Sequence, residues 1–253
     1  MLGSRPVRWV AGGALCALAY GIGGQSGKAL YAAGPAPKEA AGSITGRISY
    51  AGTVPPATRR QLVEDPTCAA IHKDGLEIQT IRVKDGGLAE VLVYVKSGLT
   101  GTYPPPTDFV LIDQKGCEWH PRMVAVMAGQ PLKIRNSDNT SHNVHPHPKI
   151  NKEFNIMQPR IGMEFTRIFD KPELMIPLGC AAHPWMEANI SVLGNPFFAV
   201  TGEDGRFEIK GLPDGDYEIE AIHSQLKSLN GKVSVKGGAP ATLDLAYPAR
   251  RAN

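Results

Sequence analysis

Helical periodicity is what this 253-residue sequence most lacks. No heptad, collagen-like period or solenoid repeat is visible, which excludes coiled coils, collagenous rods and repeat arrays. An excess of one charge is lacking too. The formal net charge is +3, and Arg5, Arg8 and Lys28 are the only charged residues before residue 34. The rest of the chain is near neutral, which gives no dense basic face for nucleic acid. Cysteine is scarce, at four residues. Cys117 and His120 in CEWHP lack the second pair of ligands that a structural zinc site needs.

Glycine and proline are plentiful, at 28 and 21 residues. With so little helical patterning, they predict an all-β chain of short strands joined by turns. The length allows one sizeable core or two smaller ones. At the N-terminus, Arg5 and Arg8 precede the apolar run WVAGGALCALAYGI, and small residues follow through Tyr31-Ala32-Ala33. Residues 1–33 therefore read as a secretory signal, or as an N-terminal anchor if uncleaved, followed by a Pro/Ala linker at 34–42. The expected address is the periplasm or another exported location, with membrane contact only through an uncleaved anchor. Beyond the signal, Cys68, Cys117 and Cys180 make an odd set. Pairing Cys68 with Cys117 leaves Cys180 as a free thiol, although the sequence leaves the connectivity open.

Strand-like runs follow in order: SITGRISY, LEIQTIRV, AEVLVYVK, FVLID, RMVAVM, PLKIRN, a short strand from His142, MEFTRIFD, ELMIPLGC and EANISVLG. The stretch PHPKINKEFNIMQPRIG is polar and irregular and reads as a long surface loop. In the last part, two Asp-Gly turns separate RFEIK and YEIEAI, which alternate as half-buried strands do, and GKVSV and ATLDLAY follow.

The chemistry gathers in CAAHPWM, which brings a thiolate, an imidazole and a thioether within seven residues (Cys180, His183 and Met186). This soft donor set suits copper. A second imidazole is available upstream, at His142 in SHNVHPHP. Alternation along the strand from His142 points Asn143 and His145 away from its side, so His145 and His147 read as surface or second-site histidines. His72, His120 and His223 belong to no motif.

The HNVH and CAAHPWM segments resemble the cupredoxin, or blue-copper, family, and within it amicyanin with its short metal loop. The resemblance covers roughly residues 108–194 and includes Gly129, Pro131, Ile134 and Asn136. It implies one type 1 copper held by His142, Cys180 and His183, with Met186 as the weak axial partner. It also implies that Asn143 ties the two ligand loops together, its amide bonding to backbone or to the Cys180 sulfur; the alternative is an ordinary turn asparagine. Trp185, with Pro184 before it beside the ligands, is expected either to form an apolar docking surface around the His183 ring or to close the barrel end. Pro177-Leu178-Gly179 before Cys180 departs from the family, which often carries an aromatic there.

The C-terminal stretch TGEDGRFEIKGLPDGDYEIEA resembles the carboxypeptidase regulatory-like domain, a transthyretin-like sandwich. Asp204-Gly205, Phe207, Ile209, Gly211 to Pro213, Gly215 and Tyr217 match its turn and core positions. The family's opening strands are matched by GRISYAG and AEVLVYV, which lie before the copper segment. The fold expected is thus a cupredoxin Greek-key β-sandwich or barrel, residues 108–194, inserted in or fused to a small antiparallel sandwich. That sandwich would be built from residues 43–107 and 195–248, with a tail at 249–253. The function implied is an exported one-electron carrier that meets a redox partner protein through an exposed His183 edge and is not by itself an enzyme. The alternatives are a copper-binding or storage protein, and an adhesion or assembly module with structural copper or none.

Overall fold

The computed structural model describes residues 41–249. The proposed signal segment, nearly all of the linker and most of the tail lie outside the described residues. The fold class is all-β, with one short helix among the described residues, Pro66–Ile71. No helix in that range is long and apolar enough to cross a membrane.

Four sheets carry the architecture. In one, Gly42–Tyr50 lies between Arg206–Leu212 and Gly87–Leu88, and Val83–Lys84 pairs at the edge; Pro240–Thr242 and Leu245–Tyr247 also pair with Gly42–Tyr50, in parallel. The next sheet runs Phe198–Val200, Leu92–Ser97, Gly215–Ile222, Leu229–Val235. A core that includes Ile44, Ile48, Val93, Val95, Phe207, Ile209 and Ile219 lies between these two sheets. Alternation explains the outer strands: in Arg206–Leu212, Phe207 and Ile209 face inward between exposed Arg206, Glu208 and Lys210. Each such apolar side chain contributes about 1.5–3 kcal/mol on burial. Gly205 precedes this strand at φ +77°, and a Cβ there would lie 2.3 Å from the Ile48 carbonyl oxygen, so only glycine fits this turn.

The third sheet runs Ile156–Gln158, His142–Pro146, Glu173–Gly179, Glu187–Leu193, Met123–Met127, and the fourth Glu164–Ile168, Pro131–Asn136, Val110–Gln114, Trp119–His120. Their shared core includes Ile112, Val124, Val126, Leu132, Ile134, Val144, Ile176 and Ile190. Met123–Met127 and the first four residues of Leu92–Ser97 are buried without alternation. Their second faces meet in a third cluster: Met123 and Ala125 pack with Leu92, Tyr94, Leu193 and Val200. The four sheets are thus layered, and the two middle ones are apolar on both sides where Leu92–Ser97 and Met123–Met127 face each other.

Three local features differ from the sequence expectation. The stretch around Cys68 forms the helix Pro66–Ile71, started by Asp65, whose carboxylate accepts from the Thr67 and Cys68 N–H groups, with Pro66 in the first turn. LEIQTIRV is broken into Leu76–Ile78 and Val83–Lys84, because the Gln79 side chain turns to bond the Pro55 and Ile81 carbonyls. The supposed loop after Pro146 contains the strand Ile156–Gln158, paired with His142–Val144.

The segment from about residue 54 to 79 also changes allegiance. By sequence it belongs to the sandwich of residues 43–107, yet Leu62, Cys68 and Leu76 are buried in the core of the third and fourth sheets. Cys68 is disulfide-bonded to Cys117 of the turn 115–118, which fastens the helix to that half of the molecule.

Candidate metal centre

Cys180, His183 and Met186 lie on the turn between Glu173–Gly179 and Glu187–Leu193, and His142 begins the neighbouring strand His142–Pro146. The turn is tight: the His183 N–H donates to the Cys180 carbonyl and the Met186 N–H to the His183 carbonyl. His142, Cys180 and His183 are 0%, 5% and 2% exposed. Their donor atoms converge, with His142 Nδ1 2.9 Å from His183 Nδ1, and Cys180 Sγ 3.6 Å from His183 Nδ1 and 4.0 Å from His142 Nδ1. Metal–nitrogen and metal–sulfur bonds of about 2.0 and 2.3 Å in a trigonal arrangement require donor separations of roughly 3.5 Å. The triangle therefore fits one ion of the kind that takes a thiolate and two imidazoles. Met186 is buried in the adjoining core, and the Trp119 indole N–H bonds its carbonyl at 3.2 Å.

Both imidazoles are held from behind. His142 Nε2 lies 2.9 Å from Asp138 Oδ2, and His183 Nε2 lies 3.0 Å from Asp65 Oδ2. Bonds at Nε2 leave Nδ1 facing the site, so the carboxylates set both ring orientation and tautomer. Asp138 is itself fixed by the Gly116 and Cys117 N–H groups at 2.6 and 2.8 Å. Asp65 Oδ2 also accepts from the Thr140 hydroxyl at 2.6 Å while Oδ1 caps the helix.

The electrostatics follow from these contacts. Burial pushes the Cys180 thiol up, but the two imidazoles and the Asn143 N–H, 3.2 Å from Sγ, bring it down to about 6, which favours the thiolate. Burial pushes His142 down, and Asp138 with Cys180 more than reverses it, to about 9. For Asp65, burial raises the carboxyl and is outweighed by Thr140, the helix N–H groups and His183, leaving it at about 2.

Asn143 meets the thiolate through its main-chain N–H; its side-chain amide turns instead to Asn155 Oδ1 at 3.1 Å. The exposed His183 edge expected from sequence is absent, because the segment bearing Asp65 covers it. Trp185 is also covered. It is 8% exposed, its ring lies 4.9 Å from that of His183, its N–H bonds the Cys117 carbonyl, and the Arg60 guanidinium lies 5.2 Å from its centroid. On the metal loop Ala181, Ala182 and Pro184 face solvent instead. Asp65, Asp138 and Thr140 are the site residues that sequence reading missed. Asp65-Pro66 is legible as a helix start, but nothing local announces a bond to a residue 118 positions away.

No family model and no curated protein matches the chain. Several solved structures are similar to part of it. A novel purple cupredoxin from Nitrosopumilus maritimus is 19% identical over 33% of this chain and 98% of that one, with a TM-score of 0.29. Amicyanin from Paracoccus versutus is 20% identical over 40% of this chain and 97% of that one, with a TM-score of 0.30. A Cu-containing nitrite reductase from Thermus scotoductus SA-01 is 19% identical over 40% of this chain, which spans a quarter (25%) of that protein, with a TM-score of 0.29. These likenesses cover a minority of the chain, and the chemistry of the centre rests on its own atoms.

Proposed function

We propose that this chain is an exported type 1 copper protein of the cupredoxin kind and serves as a one-electron carrier rather than an enzyme. The observation that carries the reading is the buried triangle of His142 Nδ1, Cys180 Sγ and His183 Nδ1. Met186 is assigned as the axial thioether. A copper ion bound there supplies reversible Cu(I)/Cu(II) exchange of one electron. The protein's part is to hold the donors still: Asp138 and Asp65 fix the two rings, and the Asn143 N–H holds the sulfur. Small rearrangement of ligands between oxidation states favours fast transfer.

Because His183 is capped, electrons are expected to cross the rim at Ala181, Ala182 and Pro184 or the packed Trp185–Arg60 pair, where a redox partner would dock. The caps also favour retention of the metal over the ready exchange that a storage protein needs. The outer strands 42–50, 83–97 and 198–247 are read as a carboxypeptidase regulatory-like scaffold. In support, Phe207, Ile209, Leu212 and Tyr217 are core residues, and the Tyr217 hydroxyl donates to the Pro213 carbonyl at 2.8 Å.

Reconstitution with Cu(II), followed by visible and electron-spin-resonance spectra, tests the assignment. Wild type should show the intense thiolate-to-copper absorption and Cys180→Ala should lack it; a colourless wild type would overturn the proposal.

A further inference from the structure

A second group of metal-ligating side chains lies outside the buried centre. His145, His147 and Glu153 present one ligand atom each, all within 4.8 Å of one another. His145 Nε2 is 2.7 Å and His147 Nδ1 3.5 Å from Glu153 Oε1, and the two rings are 4.0 Å apart. Bonds of about 2.0–2.2 Å to nitrogen and oxygen require separations near 3.4 Å in a tetrahedral site, so small side-chain rotations suffice to admit an ion. The side chains are 25%, 53% and 58% exposed, which leaves solvent free to complete the coordination.

The backbone behind the group is fixed on each side. His145 lies in a strand opposite Gly179, and the His147 N–H donates to the Pro177 carbonyl at 2.8 Å. The loop that bears Glu153 is then pinned by the buried Glu173 carboxylate, which accepts from the N–H groups of Lys149, Ile150 and Asn151 and from the Asn151 side chain. Asn151 also exchanges bonds with the Lys171 backbone. Beyond Glu153, Asn155 bonds Asn143, and Ile156–Gln158 rejoins the sheet. Glu153 thus sits on a short arc clamped at both ends, in reach of both imidazoles. A buried acid that gathers four donors merely to shape a surface loop is the costly part of this arrangement, and it sets the loop's geometry before any ion arrives.

We propose that His145, His147 and Glu153 form a surface site for a divalent transition-metal ion. The borderline nitrogen and oxygen donors select Cu(II) above Zn(II), and both above Mg(II) or Ca(II). The site is solvent-open and exchangeable, unlike the buried triangle, and it stands one strand over from the residue preceding Cys180.

The test is a Cu(II) titration of the full chain followed by electron spin resonance. It uses wild type, Cys180→Ala, and Cys180→Ala combined in turn with His145→Ala, His147→Ala and Glu153→Gln. Cys180→Ala should keep one copper(II) ion with a nitrogen- and oxygen-ligated spectrum. Each histidine substitution should weaken that ion at least about tenfold, and Glu153→Gln should weaken it measurably. Affinity and spectrum unchanged by His145→Ala and His147→Ala would overturn the proposal and leave the cluster an ion pair. The two sites fail separately: a colourless wild type that retains a His147-dependent ion removes the buried centre and leaves this one.

Discussion

Asp65 uses two oxygens for four bonds: Oδ1 caps the helix Pro66–Ile71, and Oδ2 joins Thr140 to His183. Replacing it removes a helix cap and leaves the buried His183 nitrogen without its acceptor, each loss costing about 1–2 kcal/mol, while the half-buried Thr140 hydroxyl can turn to water. Asp65→Ala should therefore lower stability by roughly 2–4 kcal/mol in urea unfolding at neutral pH. In the copper-reconstituted protein it should also speed loss of the ion to a chelator by about 10–100-fold, as expected when a support behind a ligand is removed. Unchanged stability and unchanged metal retention would show that the cap is incidental. At this scale the sequence was partly legible. The ligands CAAHPWM and HNVH stand out because they are local strings with donor spacing. Asp65 and Asp138 do not, because an aspartate before a proline or in a turn has ordinary local reasons to be there.

Among the elements, the short helix matters out of proportion to its length. The Cys68–Cys117 disulfide joins it to the turn whose Gly116 and Cys117 N–H groups hold Asp138. One covalent link therefore steadies the supports of both imidazoles. The double variant Cys68→Ser/Cys117→Ser should lose about 2–5 kcal/mol, and chelator resistance should fall with it; thermal melts and copper-transfer rates check both. Strands with clean alternation, such as Pro131–Asn136 and Arg206–Leu212, were legible because one face is dry and the other wet. Met123–Met127 was legible as a strand, but its continuous apolar run hid the fact that it serves two cores. Ile156–Gln158 escaped because its residues sit in a polar context, and only pairing with the His142 strand makes it regular.

For the molecule as a whole, we infer that the half that holds the candidate metal centre is not self-sufficient as residues 108–194. Its core borrows Leu62, Cys68 and Leu76, and Met123, Ala125 and Leu193 would be stripped of Leu92, Tyr94 and Val200. An excised 108–194 fragment should show no cooperative melt and should not hold copper. A fragment that melted sharply with the ion bound would establish a free-standing domain.

The layered plan has one more effect, on how the chain comes to be folded. The strand Gly42–Tyr50 finds its partners at Gly87–Leu88, Arg206–Leu212 and Leu245–Tyr247, so the far edge of its sheet is supplied about two hundred residues later. Such distant pairing makes folding slow. During synthesis His142 and Cys180 emerge well before that sheet can close, so the imidazole and thiol that are buried in the finished fold stay open to solvent until the C-terminal strands arrive.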